Sequence, residues 1–150
     1  MLNILHHDFG TKLLNKIDPE ISHSIALCYL RLLNQFVKKK EIGASILKTQ
    51  IAGMEVPSPI GLAAGFDKNA EVFNATLSLG FGFVEVGTIT PDPQFGNPKP
   101  RLFRLLEEDA LVNKMGFNNK GMLYVSKIAR KPKLGIVGVN LGANAKSIDK

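Results

Sequence analysis

Apolar residues recur at helical spacing along the first part of the chain and at strand spacing along much of the rest. Leu2, Leu5, Phe9, Leu13 and Ile17 fall three or four positions apart, so they share one face of a helix. Asp18-Pro19-Glu20 then has the form of a helix start: Asp at the N-cap, Pro at the first helical position, an acid in the first turn. The second helix carries Ile21, Ile25, Cys28, Leu32 and Phe36 along one side. Leu30, Leu33 and Val37 widen that apolar surface, and Lys38-Lys39-Lys40 and Gly43 close it. Two readings of this helical pair stay open. It docks on the domain that follows, which the pattern alone favours, or it dips into a membrane surface and admits a lipid-soluble molecule.

Further on the period shortens. Residues 46–50 and 54–56 are strand-type runs around Ala52-Gly53, a hairpin that Pro57 and Pro59 end. Residues 60–65 form a short strand of small residues. A helix is expected over 69–79, with Val72, Phe73, Leu77 and Leu79 turned inward. Gly80-Phe81-Gly82 breaks it, and residues 83–87 make a second strand. The loop over 90–100 holds four prolines and Gly96, which forbid regular structure. Residues 101–105 and 110–113 pair as a second hairpin around Glu107-Glu108-Asp109. A helix over 120–130 precedes a third strand over 135–140.

Strand, helix, strand, helix, strand predicts an α/β fold of parallel β/α units. A Rossmann sheet would carry a G-x-G-x-x-G turn after its first strand, and none is present. The glycines sit instead at strand ends beside polar residues, as on the C-terminal face of a (β/α)8 TIM barrel. About three of eight strands are visible, so the chain reads as the N-terminal part of such a barrel with its interior uncovered.

Composition narrows the function. The formal charge is +6, yet the basic residues are scattered apart from 38–40 and the run Arg130-Lys131-Pro132-Lys133. Both clusters fall where a helix should end, a place the helix dipole favours for cations. Neither is interleaved with aromatics, which argues against nucleic acid as a partner. The one cysteine, Cys28, excludes an internal disulfide framework and, lying in an apolar stripe, reads as a buried, inert thiol. No run approaches the roughly 18 apolar residues of a membrane-spanning helix, and the first residues lack the features of a signal peptide. No metal-ligand spacing is evident.

Chemistry collects at the strand ends. After the first strand, Ala63-Ala64-Gly65 would let backbone approach a flat ligand, and Lys68 offers a cation at the mouth. After the second, Thr88 offers a hydroxyl, and after the third Asn140 offers an amide that both donates and accepts. Between them lies a loop dense in amides, Asn113-Lys114-Met115-Gly116-Phe117-Asn118-Asn119. Together these describe a planar heteroaromatic ligand with an acid group, although a strand-end Gly or Asn taken singly is more often turn chemistry.

These same runs carry a resemblance. Gly61-Leu62-Ala63-Ala64-Gly65-Phe66-Asp67-Lys68-Asn69 resembles the first-strand motif of class 2 (quinone-dependent) dihydroorotate dehydrogenases, and residues 80–91 resemble the second. Residues 98–105, the loop over 113–119 and the strand end over 139–144 match in order and spacing, as does Asp18-Pro19-Glu20 followed by His23. The resemblance implies an oxidoreductase of pyrimidine synthesis that uses FMN to oxidise dihydroorotate to orotate and hands the electrons to membrane quinone. Ala64, Gly65, Phe66, Asp67, Lys68, Thr88 and Asn140 would hold the FMN. Lys68, Asn113, Lys114, Met115, Gly116, Phe117 and Asn140 would hold dihydroorotate. Residues 1–42 would form a helical quinone tunnel in peripheral contact with the membrane, which reverses the preference for simple docking. Residues 43–150 would be the first part of the FMN barrel. It further implies the cytoplasmic face of a bacterial membrane, or the mitochondrial inner membrane in a eukaryote. The family's catalytic serine would lie beyond Lys150, so the chain is expected to be an incomplete piece, inactive alone. Two departures stand out: Lys114 where arginine is common, which loses the planar fork, and Phe66 where leucine is usual. Another FMN barrel with a different planar substrate, or a membrane-binding module without catalysis, are the alternatives.

Overall fold

The computed structural model describes residue 12 and residues 14–37, 45–130 and 133–146. Most of the expected first helix lies outside the described residues. Helix α1 (Pro19–Leu33) begins as its sequence dictates: Asp18 accepts the amides of Glu20 at 2.9 Å and Ile21 at 3.0 Å, and Pro19 occupies the first turn. It ends at Leu33, short of the expected lysine run.

The docking face of α1 is opposite to the stripe most conspicuous in the sequence. Leu30 is buried with Val72 and Ala75, and Leu27, Leu33, Val37 and Phe66 pack around them. Ile21, Ile25, Tyr29, Leu32 and Phe36 lie on the other side and are 47% to 79% exposed. Cys28 falls on that outer side and is exposed, which corrects the expectation of a buried thiol. Leu30 is two positions further along, and at 3.6 residues per turn that is about 200° around the helix.

A first hairpin pairs β1 (Thr49–Ile51) with β2 (Met54–Val56), and Ala52 and Gly53 both take positive φ at the turn. That conformation suits the tight turn of a two-residue hairpin. Residues 46 and 47, read as strand, instead belong to a 3-10 turn over Ser45–Leu47. The central sheet holds three parallel strands in the order β3 (Gly61–Leu62), β4 (Phe83–Ile89) and β7 (Ile136–Leu141). Helix α2 (Phe73–Ser78) connects β3 to β4. Between β4 and β7 run the proline-rich loop, the antiparallel hairpin β5 (Leu102–Leu105) and β6 (Ala110–Asn113), and helix α3 (Met122–Ala129). Lys133 donates to the carbonyl of Ala129 at 2.8 Å, so it closes the end of α3 as a cation there should.

Helices and sheet meet in one apolar cluster of Ala70, Phe73, Leu77, Val84, Val86, Ile89 and Val125. Its alternation along β4 places Val84 and Val86 toward the helices and Phe83 and Glu85 toward the other face. Helix α2 is shorter than expected. Residues 69–72 coil around Asp67, whose oxygens accept the amides of Glu71 and Val72 at 2.8 Å each. Val72, Phe73 and Leu77 are buried as expected, whereas Leu79 follows the helix end and is 61% exposed.

Candidate functional site

The C-terminal ends of β3, β4 and β7 lie side by side because parallel pairing fixes them so. Gly61 and Leu62 face Phe83 and Val84, and β4 runs in register with β7 from Phe83 and Ile136 to Val86 and Val139. The register then slips, with Ile89 opposite Leu141, so β4 carries one extra residue around Gly87 and Thr88. Such a bulge re-aims the side chains beside it. Here it brings Thr88 against Asn140: the threonine hydroxyl donates to Oδ1 of Asn140 at 2.7 Å.

The loop after β3 folds over these ends. Gly65 donates its amide to the Gly87 carbonyl at 2.8 Å, and Gly87 donates to the Asp67 carbonyl at 3.0 Å. Gly65 has φ +111 and open space where a Cβ would be, so backbone there is free to meet a flat ligand. Lys68 turns its ammonium back to the Gly65 carbonyl. Burial pulls the Lys68 pKa below the usual lysine range, with Arg101 adding to the effect and Glu20 and Asp67 opposing it. Asp67 is enclosed and both its oxygens serve the turn, so it shapes this loop rather than presenting its side chain. Burial raises its pKa against the two amide hydrogen bonds. The carbonyl of Phe66 accepts from Nε2 of His23 at 2.8 Å, and the two rings meet edge to face at 5.2 Å. Burial lowers the His23 pKa, with the Lys68 charge adding to it, which favours the neutral ring that donates through Nε2.

Residues 113–119 are braced from behind by the proline-rich loop. Lys114 and Met115 give their carbonyls to the side-chain and backbone amides of Asn97, at 2.7 and 3.0 Å, and Gly116 gives its carbonyl to Gln94 at 3.0 Å. A Cβ on Gly116 would stand 2.8 Å from the Asn97 nitrogen, and φ is +73, so only glycine fits. Asn113 is exposed, its Oδ1 3.3 Å from the Met115 amide. Phe117 stands out from the loop. Lys114 lies 5.9 Å from the Phe103 ring centroid, a cation–π contact that an ammonium makes without the arginine fork. The loop borders an open groove of about 1020 Å³ between Asp92 to Asn97 and Ala143 to Lys146. Gly116 and Phe117 line that groove, whereas Lys68, Thr88 and Asn140 do not.

Sequence reasoning missed several residues that hold the site. Asn119 is buried and its side chain makes four hydrogen bonds, to the Thr90 amide and hydroxyl, the Phe117 carbonyl and the Gly121 amide. Arg101 bonds Glu20 through two nitrogens and donates to the carbonyls of Phe95 and Asn97, joining α1 to the proline-rich loop. Its guanidinium, with Lys99 3.3 Å away, holds the Glu20 carboxyl below its usual range. Glu71 binds Arg31 of α1, Lys120 just before α3 and Tyr124 within α3. Burial pushes the Glu71 pKa up, but these three partners outweigh it and leave it lowered. The same carboxylate raises Lys120. Arginine and acid pairs 40 or 81 residues apart leave no local mark in a sequence. Among the described residues, no cluster of three or more His, Cys, Asp or Glu could hold a metal ion, and no helix is long and apolar enough to cross a membrane.

Small backbone at one strand end, a hydroxyl and an amide at the next two, and a lysine turned back on the first loop have the chemistry to meet a flat, hydrogen-bonding, anionic ligand. The chain belongs to the dihydroorotate dehydrogenase family, whose sequence profile matches residues 46–150. It is 49% identical to a dihydroorotate dehydrogenase (quinone) of Mesorhizobium japonicum, over 94% of this chain and 40% of that protein. The corresponding figures for a Rhodopseudomonas palustris relative are 51%, 95% and 39%. DHODH from Eimeria tenella, crystallised with ferulenol, superposes with a TM-score of 0.77 at 39% identity, covering 88% of this chain and 38% of that one. The ligand-free form from the same organism gives the same score. The chain thus spans about 40% of the length of the curated relatives it matches.

Proposed function

We propose that the protein containing these residues is a quinone-linked dihydroorotate dehydrogenase that oxidises dihydroorotate to orotate with FMN, in pyrimidine synthesis. The observation that carries this reading is the convergence of Gly65, Lys68, Thr88 and Asn140 at the ends of three adjacent parallel strands. The donor set fits a flavin: backbone with no Cβ for the ring to lie against, and a hydroxyl and an amide for its heteroatoms. Bound there, FMN would supply the acceptor for the hydride that dihydroorotate gives up.

The chain's own groups bind and orient. Ala64, Gly65, Phe66 and Asp67 offer the backbone of a tightly folded turn, and Asp67 holds that turn closed from below. Lys68 keeps a positive charge at the mouth, where it offsets the carboxylate of the substrate. Asn113, Lys114, Met115, Gly116 and Phe117 contact the dihydroorotate ring from a loop that Gln94 and Asn97 hold still. Helix α1 belongs to a quinone route, its outward apolar stripe resting in the cytoplasmic surface of a bacterial membrane.

The test is direct. The complete reading frame containing these residues is purified, its released flavin identified, and dihydroorotate-dependent reduction of a soluble quinone analogue measured. FMN and turnover are expected. A flavin-loaded protein that leaves dihydroorotate unoxidised refutes the reading.

A further inference from the structure

Asn140 has a second side-chain partner that none of the ligand assignments explains. Glu85 lies on β4 in register with Gly138 of β7, two residues before Asn140 and on the same face. Gly138 has no side chain, and a Cβ placed there would be 3.6 Å from Cγ of Glu85. The glutamate therefore runs along the space beside Gly138 and reaches the strand end. Its Oε1 accepts Nδ2 of Asn140 at 3.0 Å, while Oδ1 of the same amide accepts the Thr88 hydroxyl at 2.7 Å.

The chemistry of these three groups is unequal. A carboxylate oxygen can only accept, an amide has one end that donates and one that accepts, and a hydroxyl can do either. Glu85 is the member that admits a single sense. Facing a carboxylate, Asn140 must present Nδ2 to it, which turns Oδ1 toward Thr88 and obliges the threonine to donate. Without Glu85 the amide could turn over and exchange its donor for its acceptor at the mouth of the site.

We propose that Glu85 is a positioning residue which fixes the amide of Asn140 and, through it, the hydroxyl of Thr88, so that both meet the bound cofactor in one donor–acceptor sense. The inference rests on the proposed function, because it takes Asn140 and Thr88 to be cofactor contacts. It adds to that function a residue without ligand contact of its own.

The experiment measures FMN binding by fluorescence quenching on the flavin-stripped, complete protein. Glu85→Asp keeps the charge but withdraws the oxygens by one methylene, and Glu85→Gln keeps the reach and an acceptor. Asp is expected to weaken FMN binding about tenfold, as loss of a charge-assisted hydrogen bond does. Gln is also expected to weaken FMN binding, about threefold or more, since its amide can present either end to Asn140 and no longer admits a single sense. In an Asn140→Ala background, Glu85→Asp is expected to change affinity by less than about twofold, because its effect runs through Asn140. A general structural role would give the same loss with or without Asn140, and that result overturns the inference. So does an Asp variant that binds FMN as the parent does. A parent protein that takes up no FMN overturns the proposed function itself and this inference with it.

Discussion

In the sheet core Leu77, Val84 and Val86 are enclosed, whereas along α1 residues of the same kind, Ile21, Ile25 and Leu32, point into solvent. The core is held by contact area. Helix α1 is held by one narrow apolar strip around Leu30 and by polar attachments spaced along its length: Glu20 with Arg101, His23 with the Phe66 carbonyl, Arg31 with Glu71, and Asn34 with the Ala75 amide. The same apolar spacing therefore serves two ends. In one region it closes a core, and in the other it leaves a surface open on an element fixed by directional bonds. Area burial is nearly indifferent to pH and salt, and hydrogen-bonded ion pairs are not, so the two regions should fail under different stresses.

Substitutions can separate them. Leu77→Ala should cost about 4 kcal/mol in urea unfolding, because it opens a cavity in a packed interior. Arg101→Leu should cost about 3 kcal/mol, since it leaves Glu20 largely enclosed without its main partner, the two side chains being 8% and 15% exposed. The two losses should also differ in kind. Added salt should narrow the gap between parent and Arg101→Leu and leave that between parent and Leu77→Ala unchanged. Equal salt responses would mean that α1 is held by area after all.

How far the sequence could be read follows the same division. The cap at Asp18-Pro19-Glu20, the turn at Ala52-Gly53, both hairpins and the parallel strand order were legible, because each rests on neighbours in the chain or on a simple period. The docking side of α1 was not. Its outer and inner faces are both apolar, and the choice belongs to Val72 and Ala75, which the helix meets only after folding. Likewise Lys68, Thr88 and Asn140 could be singled out as strand-end chemistry, while Glu85 could not. Its bond to Asn140 spans 55 residues and depends on a register that only the folded sheet defines. Residues 69–72 were read as helix because nothing local announces that Asp67 takes their amides.

Acid should loosen α1 before it unfolds the core. The His23 pKa is lowered from 6.5 in the folded protein, so folding favours the neutral ring, and that contribution begins to be lost as pH falls below 6.5. Glu20 and Glu71 are lowered from 4.5, so their contribution is complete above 4.5 and is lost as pH falls through their folded values. Asp67 has the opposite sign: its pKa is raised, so protonation favours the folded state and partly offsets the loss. Stability, read from urea midpoints, should fall as pH drops from neutrality through the acid range. In Arg101→Leu the Glu20 share should shrink to the part that Lys99 holds. An acid response unchanged by that substitution would place the titrating groups elsewhere.

The smallest effect on stability should come from the outward stripe, and it is the most informative about what that stripe is for. Ile25 is already about half exposed, so Ile25→Ser removes little buried area and should shift the unfolding free energy by no more than about 0.5 kcal/mol. Binding to anionic vesicles should respond differently. If the stripe of Ile21, Ile25, Tyr29, Leu32 and Phe36 lies in a membrane surface, each large aliphatic side chain there gains about 1.5 to 3 kcal/mol on leaving water. Serine at position 25 should then weaken vesicle co-sedimentation about tenfold or more while the folded protein is as stable as before. Unchanged vesicle binding would remove the membrane from this face. A large loss of stability would instead show that the stripe is covered within the complete protein, which would return α1 to the same packing logic as the core.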